Sequence, residues 1–508
     1  MKGSDVLGFF SVFLVAHNAA AFLRPPCLKD ASHGRGTYPH QRSVFTLVAS
    51  PLSATSTAND INSGPTSHHK ILILGGGTGG CGSAAHLINE GMQAADICIV
   101  EPASTHYYQP LWTLVGAGIF DRATSARPMS DIIPKGVAWA RDAASKIDPE
   151  INTVQCASGR QLTYDYLIVA TGLQCDWDKI PGLQDALHNS ETSHVCSNYH
   201  PEYAENTWRV LRGLSEGSAL FTQPPSPVKC GGAPQKIMWL ADDYLRRNNR
   251  RNAVDINFFM PQKVYFGVPR YAEVLESESK ARGVGFVFET LLVGVNGERR
   301  EATFQRVKDG SEYTLPYAML HVTPPMSAPD FLKTSPLADP KGFVEVDKYT
   351  TQHVRYPNVF ALGDSSSLPT SKTMAAITGQ APVLVHNLLR VMRGKRATAT
   401  YDGFTSCPIV LGYDKLLMTE FVYDCVPQET FTKIPLPFLD QGKPSFFFFL
   451  VKKYVFPFVY WNLFMKGRWY GSRLIFKPDY SEADRRADME EESKDVKGMA
   501  DAQAGKRA

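Results

Sequence analysis

Glycines near position 75, together with one glutamate, have the spacing of a site for a dinucleotide. An apolar run predicts a buried parallel strand, and a G-x-G-x-x-G motif follows it at Gly75, Gly77 and Gly80. Gly75 permits a tight turn, Gly77 lets the backbone approach a pyrophosphate, and Gly80 lets the following helix pack on the strand. Glu101 ends the next predicted strand, where a carboxylate accepts hydrogen bonds from an adenosine ribose. Strand, motif, helix, strand and acid in register predict a nucleotide whose phosphates lie at a helix N-terminus. The same motif places Thr78 and Gly79 at this turn.

The cysteines are the second group of residues that could do chemistry. No pair forms C-x-x-C and no histidine cluster stands at zinc spacing, so neither a metal site nor a disulfide framework is predicted. Cys230 follows Lys229 and precedes a predicted helix, and a neighbouring cation and a helix N-terminus both lower the pKa of a thiol. Cys407 is followed by Pro408 in a segment that predicts a turn-rich loop. The more common role of any single cysteine is that of a small buried hydrophobic residue. The nine cysteines are Cys27, Cys81, Cys98, Cys156, Cys175, Cys196, Cys230, Cys407 and Cys425.

The elements around Cys230 repeat the order of the first nucleotide unit. Residues 218–222 predict a strand, 234–247 a helix and 253–260 a second strand. The turn between the first strand and the helix, residues 224–234, lacks a G-x-G-x-x-G motif and is rich in proline. It therefore offers no cradle for the phosphates of NADH, and it presents Cys230 in that place.

Two later strands favour FAD over NAD as the ligand of the first unit. Residues 164–172 predict a strand that ends in A-T-G, and residues 356–364 predict a strand that ends in G-D. Both resemble flavoproteins with two dinucleotide-binding domains, which implies that Asp364 contacts the ribityl chain of FAD. Asp364 as the cap of a helix predicted near Thr373 is the alternative, and both roles can hold together. The predicted fold class is α/β, with two Rossmann-like dinucleotide-binding domains, a discontinuous FAD domain and a C-terminal membrane-associating region.

Length and composition bound the number of domains and the kind of partner. The 508 residues, of which 44% are hydrophobic and 20% charged, predict an enzyme of two or three domains. A net charge of +3 gives no reason to expect nucleic acid as a partner. Residues 1–68 predict a targeting leader, because the apolar run 6–16 is too short to span a bilayer and the Ser-, Thr- and Arg-rich stretch after it is typical of a transit peptide. A bipartite plastid leader and a disordered tail without an address are the alternatives.

The C-terminal region combines aromatic segments with charges of one sign. Between Asp440 and Asp479 there is no acidic residue. Pro457 and a lysine pair interrupt the longest apolar span, so a monotopic anchor in the membrane interface is predicted and a transmembrane helix is not. A helical hairpin that covers the core is the alternative. The charged segment 479–508 predicts a disordered tail. The basic residues of the region are Lys443, Lys452, Lys453, Lys466, Arg468, Arg473 and Lys477.

Five separate stretches give the chain a specific resemblance to a known family. They are residues 108–118, 227–238, 321–326, 368–373 and 405–408. In these stretches the chain resembles eukaryotic sulfide:quinone oxidoreductases. The resemblance implies that Cys230 and Cys407 are the redox pair. It places the flavin contacts on Thr78, Gly79, Glu101, Gln109, Asp364 and Lys372. Many bacterial members use a third cysteine, for which Cys156, Cys175 and Cys196 are candidates that we interpret as structural.

The resemblance also implies a reaction and its partners. Hydrosulfide attacks a Cys230–Cys407 disulfide, or a sulfur-bridged trisulfide, by thiol–disulfide exchange and leaves a persulfide on Cys407. Glutathione, sulfite or a second sulfide then removes the sulfane sulfur, while two electrons pass through FAD to a membrane quinone such as ubiquinone. Lys372 is expected to stabilise charge on the reduced flavin. The family precedent favours the mitochondrial inner membrane over a plastid membrane.

Two other functions are the alternatives, and they make different demands on the sequence. A type II NADH:quinone oxidoreductase needs a nicotinamide phosphate site, which residues 224–234 lack. A non-catalytic flavin-binding scaffold would be expected to have lost a redox cysteine. The predicted segments are a leader (1–68), the FAD domain in two parts (69–194 and 331–400), a second Rossmann-like domain (195–330), a redox-cysteine and anchoring region (401–478) and the tail (479–508).

Overall fold

A computed structural model of the protein describes residues 59–60, 66–432, 434 and 436–504 and has a mixed α/β architecture. The predicted leader lies outside the described residues except for 59–60 and 66–68. The strands are β1 (Asn59–Asp60), β2 (Thr66–Leu74), β3 (Ile97–Val100), β4 (Thr105–Tyr107), β5 (Ala126–Pro128), β6 (Ala138–Ala140), β7 (Ala144–Asp148), β8 (Thr153–Cys156), β9 (Gln161–Val169), β10 (Gln174–Cys175), β11 (Val195–Cys196), β12 (Gly217–Thr222), β13 (Val254–Phe259), β14 (Gly285–Val287), β15 (Thr290–Asn296), β16 (Glu301–Arg306), β17 (Glu312–Pro316), β18 (Met319–His321), β19 (Met326–Ser327), β20 (Val359–Ala361), β21 (Thr405–Gly412) and β22 (Lys415–Phe421). The α-helices are α1 (Thr78–Asn89), α2 (Trp112–Val115), α3 (Met129–Ile132), α4 (Leu183–His188), α5 (Ser190–Ser193), α6 (Pro201–Gly213), α7 (Ala233–Arg247), α8 (Pro269–Arg282), α9 (Asp330–Lys333), α10 (Met374–Val391), α11 (Phe446–Leu450), α12 (Phe456–Asn462) and α13 (Ser481–Ala504).

The first sheet forms around the glycine motif. Its strands lie in the order β1-β6-β3-β2-β9-β8-β7, and β20 pairs with the end of β9. Neighbours from β1 through β9, and β20, run parallel, whereas β8 and β7 are antiparallel to their neighbours. Residues 71–74 are fully buried, as a strand covered on both faces requires. The strand begins at Thr66, earlier than the predicted domain boundary, because its polar first half pairs with β9.

A second sheet, which is parallel throughout, holds the segment with Cys230. Its order is β11-β18-β12-β13-β14. The predicted strand–helix–strand unit is present as β12, α7 and β13, and α7 packs on both strands through fully buried residues such as Ile237 and Leu240. Pro234 lies in the first turn of α7, where its missing N–H costs no helical hydrogen bond. The chain leaves the first sheet after β9 and returns to it at β20.

Cys407 lies in a strand, so the prediction of a turn-rich loop is wrong. The strand β21 pairs with β22 as an antiparallel ribbon, and Cys407 is opposite Thr419. Ile409 and Leu411 of this strand are fully buried, and the ribbon packs against α7. Burial of these apolar side chains outweighs the local turn preference, and a ribbon with free edges tolerates the missing N–H of Pro408.

Residues 446–462 form one helical segment that covers the core with one face. It consists of α11, a π-helical turn over Val451–Val455, and α12. Phe448 and Tyr460 are completely buried, whereas Phe446 is 58% and Tyr454 40% exposed. Among the helices of the described residues, none combines the length and apolarity that crossing a membrane requires.

The charged C-terminal segment forms a helix, contrary to the predicted disorder. Helix α13 begins at Ser481 and its acidic side chains reach the end of α10. Asp484 pairs with Arg390 at 3.3 Å, and Asp488 pairs with the same guanidinium at 2.7 Å. Composition favours disorder because few apolar groups are available, but it does not register ion pairs with a distant helix that is already folded.

Candidate active site

A cavity of about 600 Å³ is lined by residues that follow strands of the first and second sheets and by residues of the C-terminal helical segment. Residues from three separate predictions line it: the glycine motif, the turn around Cys230 and the segment after β20. The predicted site residues in its wall are Gly75, Gly77, Thr78, Gly79, Glu101, Gln109, Cys230, Asp364 and Lys372. Gly80 and Cys407 lie behind the wall.

The glycine turn has the shape that the sequence predicts. Gly75 has φ +99°, and a Cβ at Gly80 would lie 1.9 Å from the carbonyl oxygen of Gly75. A Cβ at Gly77 would meet nothing within 4 Å, so the cavity comes directly up to this backbone. No side chain caps the start of α1, and its first N–H groups therefore face the cavity as an anion site.

Glu101 closes the turn from below. Its carboxylate accepts hydrogen bonds at 2.8 Å from the backbone N–H of Gly76 and at 2.8 Å from that of Ala103. Burial raises the pKa of Glu101, while the two backbone hydrogen bonds lower it. The side chain lines the cavity, as the contact with a ribose requires, but that contact stays a prediction.

Cys230 and Cys407, separated by 177 positions, are joined as a disulfide with a Cα–Cα distance of 6.4 Å. Cys230 is half-buried and lines the cavity, and its backbone N–H donates to the carbonyl of Lys372 at 2.8 Å. Cys407 is completely buried, and its Sγ accepts a hydrogen bond from the backbone N–H of Gly232 at 3.3 Å. Gly232 precedes α7, so the positive end of that helix faces Cys407.

The cation next to Cys230 in space is Lys236, which sequence reasoning missed. Its Nζ lies 3.4 Å from the Cys230 Sγ, and the residue is 6% exposed. Burial, with a smaller contribution from Lys452, lowers the pKa of Lys236 well below its usual value. Lys229, the predicted partner, points its Nζ toward Gln109 Oε1 at 3.4 Å. The signal that could have identified Lys236 is its position one turn before Trp239 and Leu240, both of which are fully buried.

Asp364 and Lys372 face each other across the segment after β20. Burial raises the pKa of Asp364, which Lys229 and Lys372 oppose. Burial lowers the pKa of Lys372 to about 8, which Asp364 opposes. The cap of α10 is Thr373, whose Oγ1 accepts from the backbone N–H of Ala376 at 3.0 Å, so the alternative role of Asp364 as a helix cap is wrong.

The C-terminal segment closes the cavity with polar groups that were not predicted. Lys452, which the sequence places among interfacial cations, is 3% exposed and donates from Nζ to the Pro110 carbonyl at 3.0 Å. It is buried because it shares a helix face with Phe448 and Val455. Burial lowers the pKa of Lys452 to about 8. The Tyr460 hydroxyl is hydrogen-bonded to Thr78 Oγ1 at 2.9 Å, which joins this segment to the glycine turn.

Comparisons with known proteins identify the family of the chain. Residues 69–211 match the family model of the pyridine nucleotide-disulphide oxidoreductases. A relative from Dictyostelium discoideum, the mitochondrial sulfide:quinone oxidoreductase, is 47% identical over 411 residues that cover 80% of this chain and 88% of the relative. The chain belongs to the sulfide:quinone oxidoreductase family. The mitochondrial sulfide:quinone oxidoreductase of Mus musculus is 43% identical over 81% of this chain and 89% of its own length. The structure of sulfide:quinone oxidoreductase from Aquifex aeolicus has the same fold, with a TM-score of 0.62 at 20% identity over 71% of this chain and 85% of that chain.

The cavity fits the flavin that membership of the sulfide:quinone oxidoreductase family implies. The start of α1 is open at Gly77, so a pyrophosphate can approach it. The Thr171 hydroxyl, in the predicted A-T-G turn, and the Tyr108 hydroxyl are buried in the wall without a hydrogen-bond partner among the described residues. Buried polar groups of this kind call for a ligand with hydrogen-bonding atoms. Across the described ranges, no three His, Cys, Asp or Glu side chains are grouped as metal ligands.

Proposed function

We propose that the protein is a FAD-dependent sulfide:quinone oxidoreductase in which Cys230 and Cys407 are the redox pair. The observation that carries the proposal is the disulfide itself, which joins Cys407, 177 positions away, to Cys230 in the wall of the cavity that the predicted flavin contacts line. FAD, when bound there, accepts two electrons and passes them to a quinone. The residues that would hold it are those of the glycine turn with Glu101, Gln109, Asp364 and Lys372.

The division of the chain into domains is part of the proposal. Residues 69–194 and 331–400 form the discontinuous FAD domain, and residues 195–330 form a second Rossmann-like domain without a nucleotide. The separation of the parallel strands into two sheets, and the return of the chain to the first sheet at β20, support this division. The second domain then serves to carry Cys230 and Lys236 into the cavity.

The disulfide is the group that hydrosulfide attacks. Attack on one sulfur forms a new S–S bond, breaks the Cys230–Cys407 bond, and leaves one cysteine as a persulfide and the other as a thiolate. We assign the persulfide to Cys407 and the thiolate to Cys230, because Cys230 lies in the cavity wall. This assignment requires hydrosulfide to reach the Cys407 sulfur, which is buried behind the cavity wall. The Lys236 Nζ and the Gly232 N–H stabilise the sulfur charges that the opening creates.

The sulfane sulfur leaves through a second exchange. A nucleophile such as glutathione or sulfite attacks the outer sulfur of the persulfide, forms an S–S bond with it, and releases the cysteine as a thiolate. The two thiolates then close the disulfide and give up two electrons. The balance for a thiol acceptor RSH is HS⁻ + RSH → RSSH + H⁺ + 2e⁻.

The quinone enters from a membrane in this proposal. The helical segment 446–462 presents Val455, Phe456 and Val459 to the cavity, while Phe446 and Tyr454 are exposed on its outside. A quinone is apolar, so a segment with apolar side chains both toward the cavity and on its outside offers a route from lipid to the cavity. We therefore propose that region 401–478 associates peripherally with a membrane. We place that membrane in the mitochondrion and not in a plastid, because the relatives are named mitochondrial.

Anaerobic flavin bleaching tests the proposal against its alternatives. Sulfide should bleach the flavin absorbance and NADH should not, because residues 224–234 carry Cys230 where a nicotinamide dinucleotide would need glycines. Bleaching by NADH alone would indicate the NADH:quinone oxidoreductase, and no bleaching by either donor would indicate the scaffold.

Substitution of the two cysteines tests their role directly. Cys230→Ser and Cys407→Ser should each abolish turnover with sulfide and leave FAD bound, since neither side chain belongs to the nucleotide turn. Cys425→Ser is the matched control, because Cys425 is exposed and unpaired in the described chain. Turnover that persists in either of the first two variants would contradict the assigned roles.

A further inference from the structure

A carboxyl group stands on the cavity face of the ribbon that carries Cys407. Residues opposite each other in an antiparallel ribbon share a face, and neighbours along a strand alternate. Cys407 is opposite Thr419 and faces α7, so Ser406 and its partner Glu420 are on the other face. Ser406 and Glu420 both line the cavity. The ribbon therefore presents the disulfide to one side and a carboxyl group to the other.

Glu420 is a residue of β22 that lines the cavity. The residue is 5% exposed, and its Oε2 accepts a hydrogen bond from the Thr430 backbone N–H at 2.8 Å. Phe431, which follows Thr430, also lines the cavity and packs on Phe448 of the helical segment 446–462, with ring centroids 5.9 Å apart. We place the quinone where this segment lines the cavity with Val455, Phe456 and Val459.

The environment of Glu420 favours the neutral acid. Burial raises the pKa of Glu420, and the nearby charge of Glu429 raises it further, while hydrogen bonds from Thr430 and Gln441 lower it. A carboxyl group whose pKa is raised by burial and by a second carboxylate holds its proton more strongly than a free glutamate, and such a group can act as a proton donor.

We propose that the carboxyl group of Glu420 donates one of the two protons that convert the quinone to its hydroquinone. This inference rests on the quinone reduction proposed above. The O–H bond of Glu420 breaks, an O–H bond forms at a quinone oxygen, and the electron pair comes from the reduced flavin. The second proton comes from solvent water, so that quinone + 2e⁻ + 2H⁺ gives hydroquinone. Glu420 is left as a carboxylate that the Thr430 N–H stabilises.

In this proposal the proton on Glu420 is replaced from solvent on the side of Glu429. The Glu429 side chain is 9% exposed and is paired with Arg270 at 2.7 Å, whose own side chain is 47% exposed. The Tyr271 hydroxyl lies 3.1 Å from Glu429 Oε1 and 2.9 Å from the backbone carbonyl oxygen of Glu420. These contacts place the Glu429–Arg270 pair beside the backbone of Glu420.

The test compares two electron acceptors for the reduced flavin. Holoenzyme is reduced anaerobically with sulfide in a stopped-flow instrument and mixed either with decylubiquinone, which takes up protons, or with ferricyanide, which takes up none. Glu420→Gln keeps an oxygen that accepts from Thr430 but carries no transferable proton. It should slow flavin reoxidation by decylubiquinone about tenfold or more, as the loss of a general acid does, while reoxidation by ferricyanide is unchanged.

Two further variants keep the test specific. Glu420→Asp should restore part of the decylubiquinone rate, because it returns the proton. Glu278→Gln is the matched control: Glu278 pairs with Lys415 of the same ribbon at 2.7 Å but is outside the cavity wall, and both rates should stay unchanged. Equal slowing of both acceptors in Glu420→Gln, or no slowing with decylubiquinone, would overturn the proposal. Failure of sulfide to bleach the wild-type flavin would instead contradict the proposed function.

Discussion

Replacing Lys236 with methionine should raise the pKa of the Cys230 thiol in the reduced protein. The Lys236 Nζ is 3.4 Å from the Cys230 Sγ. When the disulfide opens, a negative charge forms on the Cys230 sulfur at that distance from the Lys236 amine. The sulfur and the amine then share one proton. Methionine keeps most of the buried side-chain volume but removes both the charge and the hydrogen bond.

The size of the effect follows from the geometry. Two unit charges about 3.4 Å apart attract each other by about 5 kcal/mol at an effective dielectric constant of about 20. The cost of burying the ammonium opposes this attraction, and hydrogen bonds to charged groups contribute about 1.5–3 kcal/mol net. That free energy corresponds to a rise of about 1–2 units in the pKa of the thiol. The thiolate fraction at neutral pH should therefore fall about 10- to 100-fold.

The assay is the rate at which Cys230 in the reduced, folded protein reacts with iodoacetamide across a pH series, followed by peptide mass spectrometry. The midpoint of the rate profile reports the pKa, since only the thiolate reacts. Lys229→Met is the matched control, because Lys229 is adjacent in sequence but points toward Gln109. A midpoint that moves as far in Lys229→Met as in Lys236→Met, or that moves in neither variant, would refute the reasoning.

Three further predictions concern the cofactor, the membrane and acid stability. Gly80→Ala should yield protein without flavin, because its Cβ would lie 1.9 Å from the Gly75 oxygen. Gly77→Ala should fold but bind FAD weakly, as measured by the flavin-to-protein absorbance ratio. Full flavin occupancy in Gly77→Ala would mean that no phosphate lies at Gly77. Phe446→Asp should reduce flotation with anionic lipid vesicles. Val264→Asp should not reduce it, because Val264 is 51% exposed but lies outside the helical segment. Equal flotation of the two variants would argue against the proposed anchor. Burial lowers the pKa values of His86 and His106 from 6.5 to about 4, so between these pH values protons bind to the unfolded chain but not to the folded protein. The thermal midpoint of unfolding should therefore fall as the pH decreases from 6.5 toward 4. A shallower fall in His86→Gln would confirm that His86 contributes to this loss of stability.

The sequence by itself determined the parts of the site that depend on local geometry. The turn at Gly75, the packing of Gly80 and the position of Glu101 after its strand follow from residues within one strand–turn–helix–strand unit. Such a unit has few alternatives, since its hydrogen bonds and its close contacts are all local. The helix α7 with Pro234 in its first turn was predictable for the same reason.

Only the tertiary structure decided which charged groups act on which others. Sequence adjacency selected Lys229 as the neighbour of the Cys230 thiol, but side chains one position apart diverge, and Lys236 reaches the sulfur from the first turn of α7. The sequence predicted Lys452 as an interfacial cation, but the residue is buried. Which face of a helix packs inward depends on the surface against which the helix packs. Two further contacts depend on the packing of the ribbon: Cys407 meets Cys230, and Glu420 meets the cavity. Cys407 is 177 positions away from Cys230 in the sequence, and no local preference encodes a contact over such a separation.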